Sequence, residues 1–306
     1  MSDSLADNPI VVALRGAMPG LTDHDAPRFV RAITVDEPYK PGPDAQPQPG
    51  VPEGRLSAHR HRGEAVYPGV ERGYQVYVPA QYDAGRPASL IVFQDGSGYL
   101  GAETNARVVL DNLIHARAIP VTIAVFVDPG EQGPGLPIFG GRNNRSVEYD
   151  STDDAYVRFL VDELLPAALA GLNVSADAQD RAIVGISSSA QAAFAAAWHR
   201  PDQFSKVISH IGSFVDIRGG HAWPSLIRKE PRKPLRVHLQ DGDADLDIVF
   251  GHWFHANQQM AAALAYAGYD HEFVIGTGGH SIRHGGAILP DQLRWLWRDH
   301  PAVVAT

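Results

Sequence analysis

The sequence feature with the clearest chemical potential is a run of serines after the apolar segment 181–186. Ser187, Ser188 and Ser189 end that segment, and an alanine-rich stretch of helical character follows them. A buried strand that turns sharply into a helix holds one serine at the tip of the turn with its hydroxyl exposed, and we assign that position to Ser187. The turn requires small neighbours, which Gly185 provides. Ser189 stands where a second glycine is usual, so these residues alone fit a strand and an ordinary serine-capped helix equally well.

Ser187 needs partners, because a serine hydroxyl is a poor nucleophile at neutral pH. A histidine must accept its proton, and an acid usually orients that histidine. An aspartate-rich loop at 240–247 follows one predicted strand, and His280 follows the last one. The chain order is therefore serine, acid, histidine, and the last two lie at the carboxyl ends of strands, where open α/β sheets place their sites. We expect one aspartate of the loop to be the catalytic acid and others to cap the helix that follows.

Negative charge that develops on a carbonyl oxygen attacked by Ser187 would need two backbone N–H donors. The residue after the nucleophile, Ser188, supplies the first. A glycine-rich turn at 93–99 follows an earlier predicted strand and supplies the second from Gly96 or Ser97. This turn lacks both the Gly-x-Gly-x-x-Gly pattern and the Gly-Lys-Ser/Thr ending of phosphate-binding loops.

The fourteen histidines do not indicate a metal centre. His280 and His284 have the spacing of a zinc pair on a helix, but Gly278 and Gly279 argue against a helix there. The glutamate of the His-Glu-x-x-His motif is also missing. We therefore expect no metal and no cofactor.

The elements that would position these residues are those of an α/β fold. From residue 89, buried apolar runs alternate with helical segments, which is typical of parallel strands covered on both faces. The strand candidates are 89–93, 121–127, 182–185, 206–210, 235–239 and 271–275, and the helix candidates are 152–169, 190–199, 256–267 and 290–297. Two alternating segments, 55–61 and 73–79, predict an antiparallel pair at the amino-terminal edge of the sheet.

Length and composition limit the alternatives. At 306 residues with 44% apolar and 20% charged residues, the chain suits a soluble globular protein. We divide it into an extension with a proline-rich linker at 1–52, whose first part has a peripheral or capping role, and a single catalytic domain at 53–306. A net charge of −9 argues against nucleic-acid binding. The sequence offers no membrane span and no signal peptide, so we expect a cytoplasmic or already processed protein.

Several motifs resemble one branch of the α/β-hydrolases. This branch, the putative esterases, includes enterochelin esterases, feruloyl and other carbohydrate esterases, and esterase D. The resemblance covers about residues 50 to 298 and is carried by 76–79, 93–96, 144–149, the serine turn, 210–214, 239–242 and 278–280. It implies an α/β-hydrolase fold in which Ser187 is the nucleophile and His280 the base. By position it selects Asp245, rather than Asp243 or Asp247, as the acid.

The resemblance implies a serine esterase that acts through an acyl-enzyme on small aryl or carbohydrate esters. His221 and Trp223 lie in a loop predicted to cover the site and are candidates for substrate contact, although either could equally be a packing residue. Arg145 and Glu148 are candidates for a structural ion pair near the pocket. A lactonase or an acyltransferase would use the same residues, and a non-catalytic binding protein with an altered serine turn is the alternative of a different class. The oligomeric state is left open.

Overall fold

The computed structural model describes residues 20–131 and 144–304, together with Val12. An eight-stranded sheet forms the centre of the fold. The strands are β1 Arg55–Arg62, β2 Glu71–Val78, β3 Ser89–Gln94, β4 Thr122–Val127, β5 Arg181–Ile186, β6 Lys206–His210, β7 Arg236–Gly242, β8 Asp247–Ile248, β9 Gly251–His252 and β10 Asp270–Gly276. The short strands β8 and β9 pair with each other outside the main sheet.

The strand order of the sheet is β1-β2-β4-β3-β5-β6-β7-β10. β2 is antiparallel to both β1 and β4, and the remaining pairs are parallel. The central strands are buried along almost their whole length because helices cover both faces of the sheet. This topology confirms the predicted α/β-hydrolase fold, a mostly parallel sheet with an antiparallel amino-terminal edge.

Helices surround the sheet on both sides. They are α1 Asp25–Thr34, α2 Gly96–Tyr99, α3 Ala106–His115, α4 Asn144–Tyr149, α5 Ala155–Arg158, α6 Leu165–Ala168, α7 Ser188–His199, α8 Trp223–Lys229, α9 Trp253–Tyr266, α10 Arg283–Trp297 and α11 Pro301–Val304, with a π-helical turn Phe159–Leu164 between α5 and α6. None of the helices in the described part of the chain is long and apolar enough to cross a membrane.

The core lies in two layers, one on each face of the sheet. Successive side chains of a strand point to opposite faces. In β3, Leu90 and Val92 therefore join the layer that contains α7 and α9, whereas Ile91 and Phe93 join the layer that contains α3 and α10. The two layers hold the carboxyl ends of β5, β7 and β10 in fixed relative positions.

The helix predicted at 290–297 needs correction. Helix α10 begins at Arg283 and continues through Pro290, whereas the sequence pattern predicts a start at Pro290 itself. Glycine near the helix start lowers the helix propensity, but a Cβ at Gly286 would lie only 2.2 Å from the carbonyl oxygen of Glu103. Close packing of this turn therefore outweighs the propensity. The sequence analysis also did not predict α3.

Parts of the extension and linker pack against the sheet domain. The Ala45 side chain is buried, and its carbonyl oxygen accepts a hydrogen bond of 2.7 Å from Asn105 Nδ2 at the start of α3. Helix α1 packs beside β8, with Phe29 and Ala32 in a small apolar cluster. Residues 1–11 and 13–19 of the extension lie outside the described residues. The division at 1–52 and 53–306 remains our proposal.

Candidate active site

Ser187 occupies the turn between β5 and α7 in a conformation that few non-glycine residues adopt. Its φ is 57° and its ψ is −125°, a sparsely populated conformation that suits the sharp strand-to-helix turn predicted from the sequence. Hydrogen bonds of the backbone fix this conformation. Ser187 N donates to the His210 carbonyl oxygen at 2.9 Å, and the Ser187 carbonyl oxygen accepts from Ser213 N at 3.1 Å.

The two small neighbours of Ser187 have different roles in the turn. Gly185 leaves no space for a side chain, because its Cβ would lie 2.1 Å from the carbonyl oxygen of Ser189. Ser189, which replaces the usual second glycine, is fully buried. Its hydroxyl accepts from Ile186 N at 2.8 Å and lies 2.8 Å from the Ile186 carbonyl oxygen. The serine therefore binds the backbone at the end of β5 instead of disturbing the turn.

His280 connects the serine to the acid. Its Nε2 lies 2.9 Å from Ser187 Oγ, and its Nδ1 lies 2.6 Å from Asp245 Oδ1. With Nδ1 protonated, Nε2 has its lone pair available to accept the Ser187 proton. The His280 side chain is 12% exposed and that of Asp245 is fully buried. Of the aspartates considered in the acidic loop, Asp245 is therefore the one bonded to His280.

Asp245 is a buried carboxyl group whose surroundings favour its charged form. Burial opposes its ionisation, but the charge and hydrogen bond of His280 outweigh burial and hold the pKa of Asp245 below its ordinary value. A backbone N–H from Leu246 also donates to Asp245 Oδ1 at 2.5 Å. A carboxylate in this position stabilises the imidazolium that forms when His280 takes a proton.

A second carboxyl group, that of Asp241, lies beside Asp245. Burial, together with the neighbouring charge of Asp245, raises the pKa of Asp241 well above its ordinary value. The Oδ2 atoms of Asp241 and Asp245 are both buried without a donor. A proton kept on Asp241 and donated to Asp245 would satisfy both oxygens. The raised pKa of Asp241 favours its neutral form beside the charged Asp245.

Two of the three backbone N–H groups predicted as candidate donors to the developing negative charge are available in the structure. Ser188 is the first residue of α7, and among the described residues no acceptor lies on its N–H. Ser97 N donates to Asp128 Oδ1 at 2.9 Å, so we correct the choice between Gly96 and Ser97 in favour of Gly96. The N–H of Gly96 has no acceptor within the described residues.

Arg145 holds the turn that carries Gly96. Its guanidinium forms two hydrogen bonds with Asp95, Nε to Oδ1 at 3.1 Å and Nη2 to Oδ2 at 2.7 Å. The expected pair between Arg145 and Glu148 is wrong, because Glu148 pairs with the fully buried Arg72 at 2.5 Å. Residues three apart on α4 therefore bind different segments, since Arg145 pairs with the residue after β3 and Glu148 pairs with β2.

Ser213 and Trp253 extend the hydrogen-bonded line beyond Ser187. Ser213 Oγ lies 3.2 Å from Ser187 Oγ, and Trp253 Nε1 donates to Ser213 Oγ at 3.0 Å. The Trp253 ring also meets His280 edge-on, with 6.0 Å between ring centroids. Sequence reasoning assigned neither residue a role. Ser213 lies within a motif that carries the family resemblance, which is a signal that could have found it, whereas Trp253 is revealed only by the fold.

The two candidates for substrate contact lie in different environments. Trp223 is 1% exposed and packs edge-on against Phe194 and Trp198, so it is a core residue and not a substrate contact. An indole in the first turn of α8 fills the layer beside α7. The His221 side chain is 58% exposed, and its Nδ1 lies 3.0 Å from Asp216 Oδ1.

Among the described residues, no group of three or more histidine, aspartate or glutamate side chains is arranged to hold a metal ion. His284, the second member of the suspected zinc pair, is buried and stacks on Tyr39 with 4.0 Å between ring centroids. The pair His280 and His284 is therefore divided between two different environments.

Comparisons with known proteins point to one family. The model of the family described as "Putative esterase" matches residues 66–296. A curated relative, the iron(III) enterobactin esterase of Dickeya dadantii, is 28% identical over 249 residues, which is 74% of this chain. The chain spans about half the length of that relative, 52%.

Solved structures share the fold at lower sequence identity. A ferulic acid esterase has a TM-score of 0.63 at 17% identity, with 80% of this chain and 98% of that chain covered. The enterobactin esterase of Shigella flexneri, solved in the presence of enterobactin, has a TM-score of 0.68 at 21% identity, with 85% and 63% covered. A CE1 ferulic acid esterase of the anaerobic fungus Anaeromyces mucronatus has a TM-score of 0.66 at 14% identity, with 89% and 100% covered.

Proposed function

Because this chain belongs to the "Putative esterase" family, we propose that it hydrolyses carboxylic esters through an acyl-enzyme formed on Ser187. The observation that carries the proposal is the hydrogen-bonded line from Ser187 Oγ to His280 Nε2 at 2.9 Å and from His280 Nδ1 to Asp245 Oδ1 at 2.6 Å. The strained backbone at Ser187 adds support, because strain of this kind persists where the surrounding structure fixes it for function. The same contacts favour an enzyme over a non-catalytic binding protein.

In the first half of the reaction, Ser187 Oγ attacks the ester carbonyl carbon while His280 Nε2 accepts the hydroxyl proton. The carbonyl oxygen gains the negative charge of the tetrahedral intermediate. The N–H groups of Ser188 and Gly96 would donate to that oxygen. His280 then returns its proton to the departing alkoxide, which leaves as an alcohol, and the acyl group remains on Ser187.

In the second half, water replaces the alcohol. His280 Nε2 accepts a proton from the water as its oxygen attacks the acyl carbon, and the same proton returns to Ser187 Oγ when the acid leaves. Asp245 stays ionised throughout and stabilises the imidazolium in each half. No step requires a metal or an organic cofactor.

We propose small aryl or carbohydrate esters as the substrates. Support comes from relatives and structural neighbours named enterobactin esterase and ferulic acid esterase. His221 remains our candidate for a contact at the rim, because its ring is exposed next to α8. The preference for an aryl acyl group is tested by comparing methyl ferulate with methyl acetate as substrates. We expect the higher kcat/KM for methyl ferulate.

The chemistry is tested by turnover of p-nitrophenyl acetate by the wild type and by Ser187→Ala and His280→Ala. We expect each substitution to lower kcat by about a thousandfold or more, because each removes a member of one coupled unit. Ser225→Ala is the matched control, since Ser225 is exposed on α8, and it should match the wild type. Full turnover by Ser187→Ala would contradict the proposal.

The acceptor of the acyl group separates hydrolysis from its closest alternative. With glycerol added to the assay, an esterase releases mainly free acid, whereas an acyltransferase forms the glycerol ester. A lactonase would open a lactone ring faster than it cleaves the matched linear ester. Chromatography of the products distinguishes these outcomes.

A further inference from the structure

The segment at residues 22–39 contacts the loops that carry both His280 and Asp245. This segment lies outside residues 66–296, which the family model matches. It contains α1 and the extended residues that follow it. We call it the N-terminal clamp. The sequence analysis gave it only a peripheral or capping role, because its pattern is not periodic over any long stretch.

The clamp binds the histidine loop through its backbone. His280 N donates to the carbonyl oxygen of Ala32, in α1, at 2.8 Å. Gly279 accommodates this close approach, because a Cβ on it would lie 1.9 Å from the same carbonyl oxygen. The backbone of the residue that would act as base is therefore held by the clamp itself.

Glu37 binds the same loop from the extended residues after α1. Its side chain is buried, Oε1 accepts from Gly279 N at 3.0 Å, and Oε2 accepts from Ser281 Oγ at 2.8 Å. These two contacts lie on the residues immediately before and after His280. A carboxylate that accepts two hydrogen bonds in a buried position fixes both donors strongly.

Two further contacts complete the clamp. Tyr39 OH accepts from Thr277 N at 2.8 Å, and its ring stacks on His284. On the other side, Asp25 Oδ1 accepts from Val249 N at 2.9 Å in the hairpin that follows Asp245. The clamp thus joins the loop of His280 to the hairpin that follows Asp245, and these two segments come after different strands of the main sheet.

We infer that the N-terminal clamp positions His280 between Ser187 and Asp245, and that Glu37 is its main positioning residue. This inference rests on the proposed function, since it assigns the clamp a task in that reaction. Glu37 does not touch the reacting atoms. It acts through the backbone on both sides of His280, where a shift of about 1 Å lowers the rate of a positioned proton transfer by about a hundredfold.

The test compares Glu37→Ala, Glu37→Gln and Asp36→Ala in the full chain with p-nitrophenyl acetate. We expect Glu37→Ala to lower kcat by about tenfold or more with KM within about twofold of wild type. Glu37→Gln should recover most of the rate, because its amide oxygen can still accept from Gly279 N. Asp36→Ala removes a neighbouring exposed carboxylate and should match the wild type. Wild-type kcat in a folded Glu37→Ala protein would overturn the inference.

A double-mutant comparison separates positioning from general damage to the fold. If Glu37 acts only through His280, adding Glu37→Ala to His280→Ala should leave the residual rate unchanged. An equal loss in both backgrounds would overturn the inference. Tyr39→Phe, which keeps the ring and removes only the contact with Thr277 N, provides a second variant should Glu37→Ala fail to fold. It should lower kcat by about threefold, and wild-type kcat in Tyr39→Phe would then overturn the inference.

The failure of this inference differs from that of the proposed function. An inactive Ser187→Ala together with an unaffected Glu37→Ala would overturn the clamp alone. Full turnover by Ser187→Ala would overturn the esterase mechanism, whatever the clamp variants do.

Discussion

At the scale of single residues, the pairing of two carboxyl groups has the clearest consequence. Asp241 and Asp245 lie side by side in the interior, one with a raised and the other with a lowered pKa. Two like charges in such a place would repel each other strongly, so one group keeps its proton. Asp245, which holds His280, is the ionised member because the imidazole favours its charge.

This arrangement predicts opposite results for two substitutions of Asp241. In Asp241→Asn the amide can donate to Asp245 in place of the carboxyl proton and can accept from Gly242 N, so we expect kcat within about threefold of wild type. Asp241→Ala leaves Asp245 Oδ2 buried without a donor, which should lower the free energy of unfolding by about 1–3 kcal/mol and reduce kcat further. Steady-state kinetics and urea unfolding measure both effects. Equal damage by both substitutions would indicate that Asp241 is ionised in the folded protein.

At the scale of elements, a buried polar network joins β6, β7, α2 and α10. Tyr99 OH lies 2.8 Å from His210 Nδ1, His210 Nε2 lies 2.7 Å from Gln292 Oε1, and Gln292 Nε2 lies 3.1 Å from His238 Nδ1. One set of donors and acceptors satisfies these contacts with both histidines neutral. Burial lowers the pKa of His210 to about 4 and that of His238 to about 3.

The network predicts a loss of stability in weak acid. Between pH 6.5, where an unfolded histidine titrates, and about pH 4, the unfolded chain binds protons that the folded chain does not. The free energy of unfolding therefore falls as the pH falls through this window. We expect a loss of about 2 kcal/mol per histidine between pH 7.5 and pH 5, measured by urea unfolding at both values.

His238→Gln provides the matched test of this pH dependence. This substitution should halve the loss in the free energy of unfolding between pH 7.5 and pH 5, since one of the two titrating groups is gone. His115→Gln changes an exposed histidine on α3 and should keep the wild-type pH dependence. Identical pH dependence in the wild type and His238→Gln would contradict the assignment of the acid sensitivity to this network.

At the scale of the whole molecule, local patterns predicted the sheet because parallel strands are buried on both faces and appear as apolar runs. The runs at 89–93, 182–185 and 206–210 each fall within the bounds of an observed strand. The order of Ser187, the acidic loop and His280 along the chain also indicated their approach to one another. These features depend on the sequence close to each residue, so they could be predicted without knowledge of the tertiary contacts.

Other features depend on contacts between distant segments, and no local pattern reveals them. Nothing in the sequence around Ser97 indicates that its backbone N–H has an acceptor. In the folded chain, Asp128 at the end of β4 accepts from it. Trp223 lies in a predicted covering loop, yet the aromatic side chains of α7 provide a buried position for it. The N-terminal clamp is the largest such case, because Glu37 and Gly279 are far apart in the sequence and meet only in the folded chain.

The most direct test of catalysis by Ser187 is its covalent labelling by a serine-directed phosphonate, located by peptide mass spectrometry. We predict one adduct per chain on Ser187, none in Ser187→Ala, and slower labelling in His280→Ala, because His280 takes the proton of the attacking hydroxyl. An adduct on Ser188 or Ser189, or no adduct in a protein that turns over esters, would contradict it.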